Sequence, residues 1–245
     1  MTLTAFKRRV PQPLKNAAHA LVDYPLSPIG AAVHSERRTD AVALTFDDGP
    51  DPVATPAVLD ALDRASVTAT FFVLVDKAAS QPALMRRMVE AGHEVGLHSD
   101  NHDRLTELPL AEAQRRIRKA RAALEALTGL PVTLFRPPFG AMNLPLALAS
   151  RRLGLKLVGW GPMAREWEVG SAEQAADNAV AGLQGGEIVL LHDGLELPAG
   201  EQAPSFSRSR MTELLLAQLA ERGLRPTTVT NLEAVAGLRK RLWLR

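Results

Sequence analysis

At 245 residues, with 46% hydrophobic and 23% charged side chains, the chain is long enough to bury one substantial globular core. A net charge of +2, with no dense Lys/Arg tract interleaved with aromatics, argues against a nucleic-acid partner. Cysteine is absent, which excludes disulfides, a thiolate nucleophile and a sulfur-ligated zinc, and fits a cytoplasmic location.

Residues 1–38 begin with a basic patch, Lys7-Arg8-Arg9. Pro11, Pro13, Lys15, Asn16 and His19 then interrupt any apolar stretch, and Ala20-Leu21-Val22 is too short for the h-region of an export signal. No run elsewhere reaches 18 apolar residues, so no membrane span is expected. The segment reads as an N-terminal extension without a cleavable signal, helical around Asn16–Val22 and packed on the outside of a single domain over residues 39–245. His19 and His34 have no ligand spacing and are expected at the surface.

From residue 41 the chain alternates strand and helix. Ala41–Leu44 is a buried strand, closed by Thr45-Phe46-Asp47-Asp48-Gly49-Pro50. A helix over Pro56–Arg64 precedes a β-branched and aromatic strand at Thr68–Val75. Gln81–Ala91 has helical spacing and stops at Gly92, His93–Leu97 is the third strand, and Leu110–Thr128 is a long helix with a charged outer face ending at Gly129. Val132–Phe135, Leu155–Val158 and Ile188–Leu191 are short apolar runs of the parallel-strand kind. Helices near Leu144–Arg152, Ala172–Leu183 and Met211–Arg222 separate them, and a strand at Pro226–Val229 and a helix from Leu232 close the chain. Repeated β-α units without a G-x-G-x-x-G fingerprint predict an α/β fold, a distorted (β/α) barrel of about seven or eight parallel strands, over a doubly wound sheet.

Barrel chemistry sits at the C-terminal ends of strands. The polar residues gather there: Asp47 and Asp48 after the first strand, His98-Ser99-Asp100-Asn101-His102 after the third, and Arg136-Pro137-Pro138-Phe139-Gly140 after the fourth. Trp160, Glu166 and Trp167 follow the fifth strand, and His192 ends the sixth. A bare Asp-Asp-Gly is usually a solvated turn. Two adjacent carboxylates at the end of a buried strand, however, call for a cation beside them. His98 and His102 lie four apart, so on a helical turn both imidazoles would point to one side. With Asp48 they make a His₂-carboxylate set with open positions, the composition of a catalytic zinc centre. The overlapping His93-Glu94-x-x-x-His98 is one residue too long for a zinc-peptidase motif, and His93 reads as a strand-start residue without a chemical part.

In this order, Thr-Phe-Asp-Asp-Gly-Pro, His-Ser-x-x-His, Arg-x-Pro-Phe-Gly, a late Trp and Leu-x-His resemble the polysaccharide deacetylases of carbohydrate esterase family 4. The chitooligosaccharide deacetylases are particularly similar, and the resemblance covers roughly residues 40–235. It implies a divalent metal on Asp48, His98 and His102, zinc first, with Co²⁺, Ni²⁺ or Mn²⁺ as alternatives. It further implies Asp47 as general base, Arg136 as the residue that fixes Asp47, and the Phe139 backbone amide as an oxyanion donor. Leu190 would line the acyl slot, His192 would protonate the leaving amine, and Trp167 would wall the site. Phenylalanine at 139 replaces the usual tyrosine, which matters little if only the backbone donates. Aligning Trp160 and Trp167 puts Met163 where relatives carry an Asp bonded to the catalytic histidine. The proton donor is then left without its tuning group unless Glu166 or another carboxylate substitutes.

The expected activity is metal-dependent removal of N-acetyl groups from short or soluble amino sugars. An intracellular amide deacylase acting on a small metabolite or glycosylated natural product is the second enzyme reading, and a sugar-binding pseudoenzyme is the third.

Overall fold

The computed structural model describes residues 30–197, 200–202, 204–241 and 243. The expected helix around Asn16–Val22, His19 and the basic patch Lys7-Arg8-Arg9 lie outside them. Strand β2 (Ala41–Asp47) is buried along its whole length, and its side chains alternate between two environments. Val42, Leu44 and Phe46 enter the large core beneath the helices, whereas Ala41 and Ala43 join a smaller cluster within the curl of the sheet. Thr45 and Asp47 continue that inner face toward the strand's C-terminal end.

Around β2 lie β3 (Thr70–Val73), β4 (Glu94–Leu97), β5 (Leu134–Phe135), β6 (Lys156–Leu157), β7 (Ile188–His192) and β8 (Arg225–Thr227). They form one seven-stranded sheet in the order β6-β5-β4-β3-β2-β7, with β8 pairing the start of β2. All its pairings are parallel, as near-continuous apolar strands require when both faces are covered. The helices are α1 (Ala54–Arg64), α2 (Val75–Ser80), α3 (Pro82–Glu90), α4 (Leu110–Thr128), α5 (Leu144–Arg152), α6 (Ala172–Val180), α7 (Arg208–Glu221) and α8 (Val229–Ala236). The result is the expected single-domain α/β fold, with the parallel sheet curled into a half-barrel. Among the described residues no helix is long and apolar enough to cross a membrane.

Between β6 and β7 the ladder is replaced by irregular chain. Gly161 N–H donates to Ile188 O (2.8 Å), Leu190 N–H to Pro162 O (3.0 Å) and Ala164 N–H to Leu190 O (3.1 Å), so residues 161–164 run along β7. Glycine and proline at 159, 161 and 162 explain why this stretch pairs without forming a regular strand. At the other end of the sheet, Val229 N–H donates to Thr70 Oγ1 at the start of β3 (2.9 Å), and Val229, Leu232 and Ala236 fill the inner cluster. Helix α8 therefore occupies the end where the strands begin, leaving their C-terminal ends open.

Three expectations need correction. Residues 31–35 do not belong to an outer extension: they form β1 (Ala31–Ser35), antiparallel to β9 (Leu238–Arg241), a strand at the chain's end that the sequence reading missed. Ala32 is fully buried and bridges Val158, so β1 is part of the body of the domain. His34, expected at the surface, is half-buried within that strand, where its Nδ1 meets Ser35 O at 2.7 Å. The run Thr68–Val75 is not one strand, because β3 stops at Val73 and Val75 begins α2. The neighbouring strands have ended at that height. Leu74 N–H therefore bonds Gly49 O (3.0 Å) and Val75 N–H bonds Ser99 O (3.1 Å), in the loops that follow β2 and β4.

Candidate active site

Register places the site residues side by side. Asp47 pairs with His192 across β2 and β7, while Leu97 pairs with Phe135 across β4 and β5, so His98 and Arg136 leave adjoining strand ends together. In an extended strand, Asp47 and Asp48 would point to opposite faces. Asp48 instead has φ +70, a left-handed conformation that Asp tolerates better than most residues, and both carboxylates reach His98. His98 Nε2 is 3.2 Å from Asp48 Oδ1 and 3.9 Å from Asp47 Oδ2.

His102 Nε2 also lies 3.2 Å from Asp48 Oδ1. The two histidines do not share a helical turn as expected. They flank an irregular loop in which Ser99 has φ +84 and the Asp100 carboxylate accepts from Asn101 N–H (3.0 Å), a local bond that competes with helix. Their rings nevertheless converge, with centroids 5.5 Å apart. His98 Nδ1 donates to Arg136 O (2.7 Å), which assigns the proton to Nδ1 and leaves the Nε2 lone pair facing Asp48.

Asp48 is asymmetrically held. Its Oδ2 accepts from Glu196 N–H (3.0 Å), and its carbonyl accepts from Lys77 Nζ (2.9 Å), which pairs in turn with Glu196 at 2.5 Å. Its Oδ1 is buried without a hydrogen-bond partner, facing the two histidine nitrogens. A buried, unsatisfied carboxylate oxygen beside two imidazole nitrogens is costly unless a cation completes it. One donor atom each from Asp48, His98 and His102 lies within 4.8 Å of the others, so the trio fits a divalent metal in both chemistry and placement. The remaining positions would be open.

Asp47 is anchored from its other side. Arg136, fully buried, donates from Nη1 to Asp47 Oδ1 (2.7 Å) and Thr45 Oγ1 (2.8 Å), and from Nη2 to Gly159 O (2.9 Å). Its guanidinium also lies 4.2 Å from the centre of the Phe72 ring. Burial lowers the pKa of Arg136 and Asp47 opposes that, so this is a buried ion pair in which each charge depends on the other. The Arg-Pro-Pro turn is braced from behind, because Trp243 Nε1 donates to Gly140 O (3.0 Å) and the Trp243 ring packs edge-on against Trp160. Phe139, with φ +59, turns its half-exposed ring toward His102 (centroids 4.2 Å apart), and the Arg104 guanidinium lies 4.2 Å from that ring's centre.

Glu166 supplies what Met163 lacks. It is completely buried, accepts from His192 N–H at Oε1 (2.7 Å) and meets His192 Nδ1 at Oε2 (3.1 Å). Of the alternatives the sequence left open at Met163, substitution by the Glu166 carboxylate is the one found. Met163 is taken up by backbone bridging to Leu190, and its side chain lines the cleft, while the carboxylate three residues on reaches the ring. Burial acts against the imidazolium, but Glu166, by charge and hydrogen bond, and then Asp48 and Asp47 push His192 up to about 9. Trp167 stands edge-on to His192 with centroids 5.5 Å apart.

Asp47, Asp48, His98, His102, Phe139, Leu190, Trp167 and His192 line one open cleft of about 570 Å³. Arg136 lies behind it. His93, given no chemical part, is buried and accepts from Ala69 N–H at Nδ1 (3.1 Å), away from the cleft. Sequence reasoning missed Lys77 and Glu196, which carry no motif and meet Asp48 only through folding. It also gave no part to Asp193. That residue is buried, takes a hydrogen bond from Thr55 Oγ1 (2.5 Å), and is pushed by burial up to about 7. Gly49 must be glycine beside it, since a Cβ there would lie 2.1 Å from Asp193 Oδ2.

Comparison with known proteins points the same way. The chain is 41% identical over 152 residues to the peptidoglycan-N-acetylglucosamine deacetylase PgdA of Listeria monocytogenes, covering 62% of this chain but only 32% of that protein. The chain thus spans about a third of that relative. To a chitooligosaccharide deacetylase of Bradyrhizobium it is 39% identical over 166 residues, covering 67% of this chain and 74% of the relative. Among solved structures, a family 4 acetyl xylan esterase from Clostridium thermocellum, determined with a cobalt ion, superposes with a TM-score of 0.70 at 34% identity. That match covers 80% of this chain and 91% of the other. The polysaccharide deacetylase family model matches residues 34–158, and on these matches and this geometry the chain belongs to the polysaccharide deacetylase family.

Proposed function

We propose that this protein is a metal-dependent N-deacetylase that releases acetate from N-acetylated amino sugars, acting on short, soluble oligosaccharides in the cytoplasm. The observation that carries the reading is the buried, unpartnered Asp48 Oδ1 facing two histidine Nε2 atoms, beside a carboxylate-bound histidine at the end of β7. The relatives' activities, on chitooligosaccharide and on peptidoglycan N-acetylglucosamine, support the N-acetyl sugar as substrate class. Fractionation of the untagged chain tests the location.

Asp48, His98 and His102 would hold the cation, zinc first, which supplies Lewis acidity toward the acyl oxygen and acidifies a water. Asp47, fixed by Arg136, takes the proton that the attacking water loses as its oxygen bonds the acyl carbon. The Phe139 amide, on the cleft wall, donates to the developing oxyanion, and Leu190 bounds the space for the acyl methyl. His192, charged through Glu166, delivers a proton to the nitrogen as the C–N bond breaks, leaving acetate and a free amine. Trp167 and Phe139 present ring surface to the sugar, and a cleft of about 570 Å³ suits a short oligosaccharide. The intact base, ligand and acid positions favour turnover over simple sugar binding.

Acetate release from N-acetylated chitooligosaccharides tests this, using chelator-stripped protein with and without Zn²⁺, Co²⁺, Ni²⁺ or Mn²⁺. Metal-restored release from these oligosaccharides, exceeding release from O-acetylated xylan, is expected. Release only from the O-acetyl substrate, or release indifferent to metal, would overturn the reading.

A further inference from the structure

Arg116 sits on α4, whose Arg115, Arg118 and Lys119 are exposed and whose buried stripe is Ala113, Ile117, Ala120 and Leu124. On composition it belongs to the solvated face, yet only 15% of its side chain is exposed. Its guanidinium reaches across to the loop between the two histidines. Nε donates to Asp100 Oδ2 (2.7 Å), Nη2 to Asp100 Oδ1 (2.6 Å) and to Asn101 Oδ1, and Nη1 to Asp103 Oδ2 (2.9 Å). One planar fork thus binds two of the three residues between His98 and His102, Asp100 and Asn101, together with Asp103 just beyond.

The gathered side chains in turn hold the loop's backbone. Asp100 Oδ1 accepts from Ser99 Oγ (2.9 Å) and Asn101 N–H (3.0 Å), while Asn101 Oδ1 accepts from Asp103 N–H (3.2 Å). Asp100 O accepts from Asp76 N–H (3.0 Å), tying the same residue to α2. Ser99 at φ +84 is a conformation that a free loop would leave, since it is strained for a residue with a Cβ. His98 is held independently by Arg136 O, whereas His102, with its ring 13% exposed, depends on this loop for its position.

We infer that Arg116 is a positioning residue for the metal site: its fork on Asp100, Asn101 and Asp103 presets the approach of His102 to His98 and Asp48, and so raises metal affinity. The inference rests on the reading of those three residues as metal ligands. Without the fork, ordering of the loop would be deducted from the binding free energy, and outer-shell losses of this kind weaken metal binding by about 10–100-fold.

The test is Zn²⁺ titration of the metal-free full chain against a chromogenic chelator, for the native protein, Arg116→Ala and Arg116→Lys, with circular dichroism confirming the fold at the assay temperature. Arg116→Ala is expected to bind one Zn²⁺ per chain about 10–100-fold more weakly. Saturating zinc should return its kcat to within a few-fold of native with KM unchanged, which a merely misfolded fraction would not do. Arg116→Lys, a point charge in place of a fork, should fall between. Native affinity in a folded Arg116→Ala overturns the inference; if that variant does not fold, native affinity in Arg116→Lys overturns it. A native chain that takes up no Zn²⁺ removes the metal reading itself, an outcome separate from the first.

Discussion

Replacing Glu166 by Gln is the most informative single change, because it removes one charge from a buried pair and almost no volume. His192 lies at about 9 against an ordinary 6.5, with burial opposing the charge and Glu166 first among the groups favouring it. At about 1.4 kcal/mol per pH unit, the surroundings favour the imidazolium by about 3 kcal/mol. Asp47 and Asp48 supply part of that, and a cation held by Asp48, His98 and His102 offsets their share. In the metal-loaded protein Glu166 is the principal anion left to His192, and the alkaline limb of kcat should lie below about 9. In the Glu166→Gln variant the burial cost stands almost unopposed, so the limb should move to lower pH by about one to two units. The amide oxygen can still accept from His192 N–H, so the backbone at the end of β7 is kept. Measuring kcat from pH 6 to 10 on both proteins, with metal content determined at each pH, decides the matter. An unmoved limb at full metal occupancy would refute both the Glu166–His192 pairing and His192 as the proton donor.

Asp47→Asn should retain full metal and lose turnover by about 10²–10⁴-fold, the usual contribution of a general base, whereas His102→Ala should lose both, as metal analysis of the purified proteins would show. Arg136→Met leaves Asp47 buried without its partner, and denaturant unfolding should report a loss of about 3–5 kcal/mol. Met163→Asp should move the alkaline limb far less than Glu166→Gln, because Glu166 already occupies His192 Nδ1. The metal-free protein should lose stability as pH rises. A histidine raised from 6.5 to about 9 by folding stabilises fully below 6.5 and loses that contribution as pH climbs through about 9, which unfolding midpoints across that window would reveal.

Much of the site was legible in the chain because its chemistry is local. Asp47-Asp48, His98-x-x-x-His102, Arg136-Pro137-Pro138 and Leu190-x-His192 each leave the end of an apolar run, and a parallel sheet necessarily brings consecutive strand ends together. The same periodicity placed α4 and α5 at their observed bounds, since propensity, buried stripe and stop signals agree there.

Contacts distant in sequence were decided only by tertiary structure. Spacing from two tryptophans singled out Met163, but which side chain reaches His192 depends on how the irregular chain after β6 lies along β7, and that path brings Glu166 in. Composition put Arg116 on a solvated helix face, and only the packing of α4 against the loop after β4 turned it into a clamp. The β1–β9 pair joins opposite ends of the described chain, and short strands of mixed polarity carry no periodic signal strong enough to announce it. Asp48 is the sharpest case. Its identity was plain in the sequence, but its left-handed φ, which lets two adjacent carboxylates serve one site instead of facing apart, is imposed by the contacts around it. Glu196 N–H and Lys77 hold that turn, and neither is its neighbour in the chain.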